Sequence, residues 1–368
     1  MTTNSGSQGR SPGIYAVHFK GIVARAVPVS LLDVQSKEQQ TVLHSVTGHR
    51  RWRSLKGSTS EGAELTELAE PQDDLALALY LTGVEVESPT LAMGSLMLDG
   101  KVRPERGVLC TALLAKQSGA KLMVASRSLR EASQIPGIEV DPMTSILAPA
   151  KERIPYVSTV DDRLSAAASP IGDEGLPQEV LVSLIQLRKR ELRRVLLVGH
   201  PGSGKTMIAR RLAVHTCSEE ERLESSLIHS RAGLLDENRP YLQAPPLRAP
   251  HHTCSTVGML GNAKHPGEVS LSHGGTLFLD ELPEFARQTI EAVAVILREG
   301  KAIVHCSGNA INTPARPTMI IAAANPCSCG WYGHAQRRCG CPESAVKKYQ
   351  KRLEKLQEML GLTRVELT

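Results

Sequence analysis

The stretch "RRVLLVGHPGSGKTMIARRLAVH" limits the fold more than any other part of this 368-residue chain. Four apolar residues, Val195 to Val198, stand between two arginines and a glycine. A strand that is apolar at every position is buried on both faces, and sheets buried on both faces are parallel sheets covered by helices. The spacing from Gly199 to Thr206 is then G-x-x-x-x-G-K-[ST]. Its glycines let a loop curl until backbone N–H groups point inward, which makes a phosphate cradle. The helix expected after Thr206 adds the positive end of its dipole at the same spot. In such a loop Gly199, Gly202, Ser203 and Gly204 shape the cradle, Lys205 neutralises the β/γ-phosphates, and the Thr206 hydroxyl ligates Mg²⁺. The expected ligands are ATP and Mg²⁺, and the expected fold class is α/β.

Such a loop needs acids on a second strand. "GGTLFLDELPEF" reads as a buried strand ending in Asp280 and Glu281. Asp280 would hold the Mg²⁺ through water, and Glu281 would polarise the attacking water as general base. The plainer alternative is two surface acids at a strand end. "TMIIAAAN" is a third buried strand, ending at Asn325. Strand ends line up at the carboxyl edge of a parallel sheet, so Asn325 could orient water or touch the γ-phosphate. Alternatively its amide caps the turn before Pro326.

Composition narrows the class of partner. Net charge is +5 and aromatics are 3%, so a phosphate backbone is permitted but an aromatic stacking surface for RNA is not expected. The basic residues Arg337, Arg338 and "KKYQKR" from Lys347 to Arg352 could face DNA or simply solvent. There is no apolar run long enough to span a membrane, and "MTTNSGSQGRSP" lacks the apolar centre of a signal peptide. With eight scattered and paired cysteines, the expected compartment is a reducing cytoplasm.

Along the chain, residues 1–12 are expected to be disordered and residues 33–72 carry no clear pattern. "DDLALALYLTG" predicts a helix over 73–83, Asp99-Gly100 a hairpin turn, and "GVLCTALLAKQSGAKLMVAS" a helix, a break and a strand. Residues 13–149 therefore form a first domain and residues 150–178 a linker without periodicity. Residues 179–368 form the nucleotide-binding core, with a Cys-rich loop at 326–342. A hairpin is expected over 301–316, and from Pro342 onward one charged amphipathic helix.

The segments "GHPGSGKTMIARRL", "LRAPHHTCSTVGMLGNAKHPGEVSLSHGGTLFLDELPEF" and "AAANPCSCGWYGHAQRRCGCPESAVKKYQKRL" closely resemble the magnesium-chelatase-like AAA+ ATPases of the ComM/YifB type. The resemblance implies an AAA+ core with an insertion in its second helix (about 240–275) and a hairpin before sensor 1 (301–316). It implies Walker B at Asp280 and Glu281 and sensor 1 at Asn325. It further implies a hexameric ring, and DNA branch migration in recombination and natural transformation, with hairpins facing a DNA-filled pore. "GLTRVEL" resembles a segment that would make Arg364 an arginine finger reaching a neighbouring subunit; the alternative is a charged residue on a frayed terminus. Residues 93–125 resemble the Lon-protease-like N-domain of the same family. Leu109 stands where a catalytic lysine would, and "PQDD" before Leu75 has no serine, so peptidase activity is not expected.

Departures from the family pattern qualify these expectations. Ala294, Val295 and Ile296 replace an Arg-Glu-Pro run, and "HCS" around Cys306 replaces a basic contact. Relatives continue beyond the position of Thr368 with a helical lid, and a lid or partner subunit supplied in trans is one open alternative. Two other functions remain open: a motor subunit of a metal chelatase, or a nucleotide-binding relative without turnover. Finally, Cys327, Cys329, Cys339 and Cys341 form two Cys-x-Cys pairs separated by nine residues. They could wrap a tetrahedral structural Zn²⁺, with His334 as a spare ligand, or remain free thiols or occasional disulfides. His251, His252, His265 and His273 are read as shaping the insertion.

Overall fold

A computed structural model describes residues 13–28, 86–147, 176–213, 216–306 and 309–367, together with Leu75, Ala76, Leu79, Tyr156, Val157 and Asp173. The expectations for residues 1–12 and 33–72 lie outside the described residues, as does most of the helix expected over 73–83. The chain forms two compact units, Met1–Ser165 with His229–Tyr241, and Ala166–Ile228 with Leu242–Thr368.

The first unit is built on a six-stranded sheet. Strands β1 (Gly13–Lys20) and β2 (Val23–Pro28) form an antiparallel hairpin, and β1 continues in parallel to β3 (Pro89–Met93). A small hairpin, β4 (Ser95–Leu96) and β5 (Val102–Arg103), turns through Asp99 and Gly100 as expected. Helix α1 (Val108–Ser118) crosses to β6 (Lys121–Ala125), and helix α2 (Leu129–Ala132) precedes β7 (Glu139–Met143). The last strand, β8 (Tyr156–Val157), pairs with β7 inside the stretch expected to be a linker. Two residues are too short to show a period, which is why that strand is invisible in the sequence. Leu75, Ala76, Ala92, Met123 and Met143 share the core of this unit. Residues 229–241, read from sequence as part of the nucleotide-binding core, belong to this unit.

The second unit begins with helix α3 (Gln178–Lys189) and β9 (Arg194–Gly199), followed by α4 (Lys205–Leu212) and α5 (Glu219–Ala232), whose last residues from His229 belong to the first unit. Next come β10 (Leu247–Arg248), the short helices α6 (Thr256–Leu260) and α7 (Glu268–Leu271), and β11 (Thr276–Leu279). A bridge between Gly261 and Pro266 closes the loop between α6 and α7, inside the stretch expected to be an insertion. Arg248 holds Glu268 with two bonds of 2.7 Å across this insertion. Helix α8 (Arg287–Glu299), the hairpin β12 (Lys301–Cys306) and β13 (Asn309–Pro314), then β14 (Met319–Ala324) follow.

The end of the described chain differs from the sequence expectation. Helix α9 (Glu343–Leu360) stops at Gly361, whose N–H closes onto Gln357 and Glu358. Thr363–Leu367 then forms β15, parallel to β9 from Thr363↔Val195 to Leu367↔Gly199. The sheet is therefore five parallel strands in the order β10-β11-β14-β9-β15. Alternate residues of its strands point to opposite faces. Leu196, Val198, Leu277, Leu279, Ile320 and Ala322 pack with α8 and α9 through Ile290, Val293, Leu353 and Leu356. Val195, Leu197, Phe278, Ile321 and Ala323 pack with α3 and α4 through Val180, Leu184, Ile208 and Leu212. Each Val, Leu, Ile or Phe side chain among them contributes roughly 1.5–3 kcal/mol on burial, so the two faces together position the carboxyl edge.

Candidate functional site

Three strand ends meet at that edge. β9 runs into the loop 199–206, β11 into Asp280 and Glu281, and β14 into Asn325. Because β14 lies between β9 and β11, Asn325 emerges between the loop and the two acids. Within the loop Lys205 Nζ donates to the carbonyls of Gly199 and His200, both at 2.8 Å, and Ser203 N donates to His200 O. Gly202 and Gly204 have φ of 87° and 79°, the left-handed region that glycine enters without strain. A Cβ on Gly199 would lie 2.5 Å from Ser203 Oγ, and one on Gly204 2.7 Å from Val180 Cγ2, so side chains there would close the curl. Ser203 Oγ is buried with no hydrogen-bond partner among the described residues, a polar atom whose natural partner is a ligand oxygen. Burial lowers the Lys205 pKa, an effect opposed by the Asp280 carboxylate.

The metal-binding half is equally organised. Thr206 Oγ1 donates to Asp280 Oδ2 at 3.1 Å, so the hydroxyl and carboxylate expected to share Mg²⁺ already face one another. Both are hard oxygen donors, the type Mg²⁺ prefers. Asp280 Oδ1 also accepts from the backbone of Glu281 at 3.0 Å. Glu281 itself adopts φ 54°, unusual for a residue with a side chain, and begins the turn Leu282–Glu284. Its carboxylate is largely exposed and accepts from His252 Nδ1 at 3.0 Å. His252 sits beside His251, ring centroids 4.1 Å apart, and edge-on to Phe285. A cavity of about 490 Å³, lined by Thr206, Arg210, His251, His252, Asp280 and Glu281 among others, opens here. The contact of His252 with Glu281 carries no signal in the sequence, because it joins a loop of the insertion to a strand end.

The structure brings the four cysteines together. Their sulfurs all lie within 4.8 Å of one another, with Cys327–Cys329 at 3.4 Å, Cys327–Cys339 at 3.7 Å and Cys329–Cys339 at 3.5 Å. A Zn–S bond of about 2.3 Å puts tetrahedral sulfurs about 3.8 Å apart, so the spacing fits a Cys₄ metal site. It is far longer than the roughly 2 Å of a disulfide. Backbone N–H groups of Trp331 and Gly340 aimed at Cys329 lower its thiol to about 6. His334 is not a fifth ligand. Its Nδ1 accepts from Gln336 N and Arg337 N, and its ring packs edge-on against Trp331 and His200. His273 is likewise engaged elsewhere, between Glu224 and the backbone of Arg316.

Arg364 does not sit on a frayed terminus: it lies within β15 opposite Leu196, three residues before the level of Gly199, and its Nε holds Glu366 Oε1 at 2.7 Å. That is a local ion pair on a strand of the sheet, below the edge where phosphates would sit.

The parallel sheet, the loop 199–206, the two acids on β11 and the polar residue on the strand between them define the AAA+ P-loop class. A family model described as "Magnesium chelatase, subunit ChlI" matches residues 185–365. An uncharacterized protein of Mycobacterium tuberculosis is 34% identical over 312 residues, covering 80% of this chain and 60% of its own length. YifB of Escherichia coli, also uncharacterized, is 33% identical (74% and 55%), and competence protein ComM of Haemophilus influenzae is 30% identical (71% and 53%). The chain belongs to the magnesium-chelatase-like proteins of the ComM/YifB type. It spans a little over half the length of these relatives. Among solved structures, NtrX from Brucella abortus in complex with ATP has a TM-score of 0.32 at 15% identity (76% of this chain, 57% of that one). A BchI–BchD magnesium chelatase complex has a TM-score of 0.29 at 18% identity (50% and 66%).

Proposed function

We propose that the second unit binds and hydrolyses ATP with Mg²⁺ and drives remodelling of DNA as a subunit of a ring. The observation that carries this reading is the Thr206–Asp280 pair, set between Lys205 and Glu281 at one sheet edge. In this reading Gly199, Gly202, Ser203 and Gly204 cradle the phosphates and Lys205 balances their charge. Thr206 and Asp280 hold Mg²⁺, which would draw negative charge off the reacting phosphate. Glu281 takes the proton of the attacking water, held in place by His252, and Asn325 orients that water.

DNA as the partner is supported by the competence relative and by the basic surface of α9. There Lys348, Lys351, Arg352 and Lys355 line a cavity of about 430 Å³ with Arg287. The four cysteines are proposed to hold a structural Zn²⁺, which suits thiolates kept in a reducing cytoplasm. The first unit is proposed to be a Lon-like domain without peptidase chemistry: Leu109, at the lysine position, is fully buried. No helix among the described residues is long and apolar enough to cross a membrane.

The test is steady-state ATP hydrolysis with and without branched DNA, beside a Glu281→Gln control, with the oligomeric state measured by light scattering. DNA-stimulated turnover that disappears in the control supports the motor. ATP binding with no turnover above the control supports a nucleotide-binding relative instead. A chelatase motor subunit, the reading favoured by the matching family model, predicts turnover that responds to a chelatase partner and not to DNA.

A further inference from the structure

We infer that the four-cysteine site is coupled to the phosphate loop, so that zinc occupancy sets the affinity for nucleoside triphosphate. The inference rests on the reading of residues 199–206 as an ATP site. The segment between the two cysteine pairs lies directly on that loop. His200 Nδ1 is 2.9 Å from Gly330 O; a carbonyl only accepts, so the histidine donates. The His200 ring lies parallel to Trp331, 7° between planes at 6.1 Å, and edge-on to His334 at 4.6 Å. Arg337 covers Trp331, its guanidinium 4.0 Å from the ring centre. Gly330 sits at φ 84° so close to the loop that a Cβ there would be 2.7 Å from Pro201 Cγ and Cδ.

His200 and Pro201 are the residues between Gly199 and Gly202, so this contact grips the first turn of the cradle. From inside, the His200 carbonyl holds Lys205 Nζ. From outside, its ring is held by Gly330, Trp331 and His334. The outer grip is only as firm as the loop that carries it. Cys327 and Cys329 anchor the start of that loop and Cys339 and Cys341 its end, so one metal ion fixes both. Without the metal the intervening residues regain conformational freedom that binding must then remove. The grip consists of one hydrogen bond and one ring stack, which together correspond to roughly tenfold in nucleotide affinity.

The experiment uses the full chain, loaded with one equivalent of zinc, stripped with a zinc-selective chelator under excess Mg²⁺, and reloaded. Bound zinc is counted by metal analysis and affinity for a fluorescent ATP analogue is titrated in each state. The expected result is one zinc per chain and about tenfold weaker nucleotide binding after stripping, restored on reloading. Gly330→Ala guards against simple unfolding. It keeps all four ligands and retains zinc, yet binds nucleotide about as weakly as the stripped protein. His200→Ala binds weakly whether or not zinc is present. No retained zinc, or equal nucleotide affinity with and without it, overturns the inference and leaves the ATP site standing. Zinc bound with no nucleotide bound in any state overturns both.

Discussion

Glu131 on α2 offers a test of how the first unit stores electrostatic free energy. Its Oε1 accepts from Ser230 Oγ at 2.5 Å and from Leu109 N at 3.2 Å. Burial pushes the carboxyl up to about 7 from its ordinary 4.5, with the bonds from Ser230 and Leu109 opposing. Below pH 4.5 the group is protonated whether the unit is folded or not, and it contributes no pH dependence. Between 4.5 and 7 the unfolded chain has released the proton and the folded chain has not. The unfolded state then binds fewer protons, so stability falls as pH rises. Above 7 the full cost remains, roughly 3 kcal/mol for a shift of this size. Glu131→Gln keeps an oxygen for both donors and cannot ionise. The assay is urea unfolding from pH 4.5 to 8, read by hydrogen exchange in peptides covering Val108–Ser118, with variant and wild type compared at each pH. The stability difference should grow with pH across the window, in favour of the variant, and level off above 7. A difference that stays constant from pH 4.5 to 8 would refute the argument that a buried carboxyl is being forced to ionise.

Three further outcomes follow from the second unit. His252→Ala frees the Glu281 carboxylate, so turnover should fall about tenfold while ATP affinity stays within twofold; a matching loss of affinity would mean that His252 binds nucleotide directly. Thr206→Ala removes one oxygen of the Thr206–Asp280 pair and should raise the Mg²⁺ concentration for half-maximal hydrolysis about tenfold or more, with an unchanged Mg²⁺ titration as the contrary result. Phe285→Ala empties a fully buried site against the sheet. It should cost about 3–5 kcal/mol of stability in denaturant unfolding, and a loss under 1 kcal/mol would mean the core closes around the gap.

Much of the nucleotide site is legible in the sequence because its residues are held by strict local geometry. The loop 199–206 and the strand ends at Asp280 and Asn325 each sit within a short run whose pattern fixes the element. Val195 to Val198 and Met319 to Ala324 read as buried strands because both faces of the sheet are covered. β15 does not, since "TRVEL" mixes charge with apolar residues beside a charged helix, and Gly361 is the only mark of the stop. Contacts between distant segments are also hidden. Ser230 reaching Glu131, His252 reaching Glu281 and His200 reaching Gly330 each join residues whose spacing in the chain carries no information. The cysteine pairs announce a metal site, but nothing in their spacing tells that the loop between them rests on His200 and Pro201.

The pairing of β9 with β15 has a consequence for synthesis. The strand that leads into the phosphate loop is made well before both of its neighbours in the sheet, β14 and β15. At ribosomal speeds the delay before β15 emerges is on the order of ten seconds or more. Throughout that interval Val195–Val198 is an apolar strand with at least one open edge, the kind of segment that pairs with other chains. A nascent chain stalled ahead of Thr363 would carry a complete phosphate-loop sequence and still lack one wall of the sheet that holds it. For this fold, the vulnerable moment is translation itself, and a holding chaperone would find its target in β9.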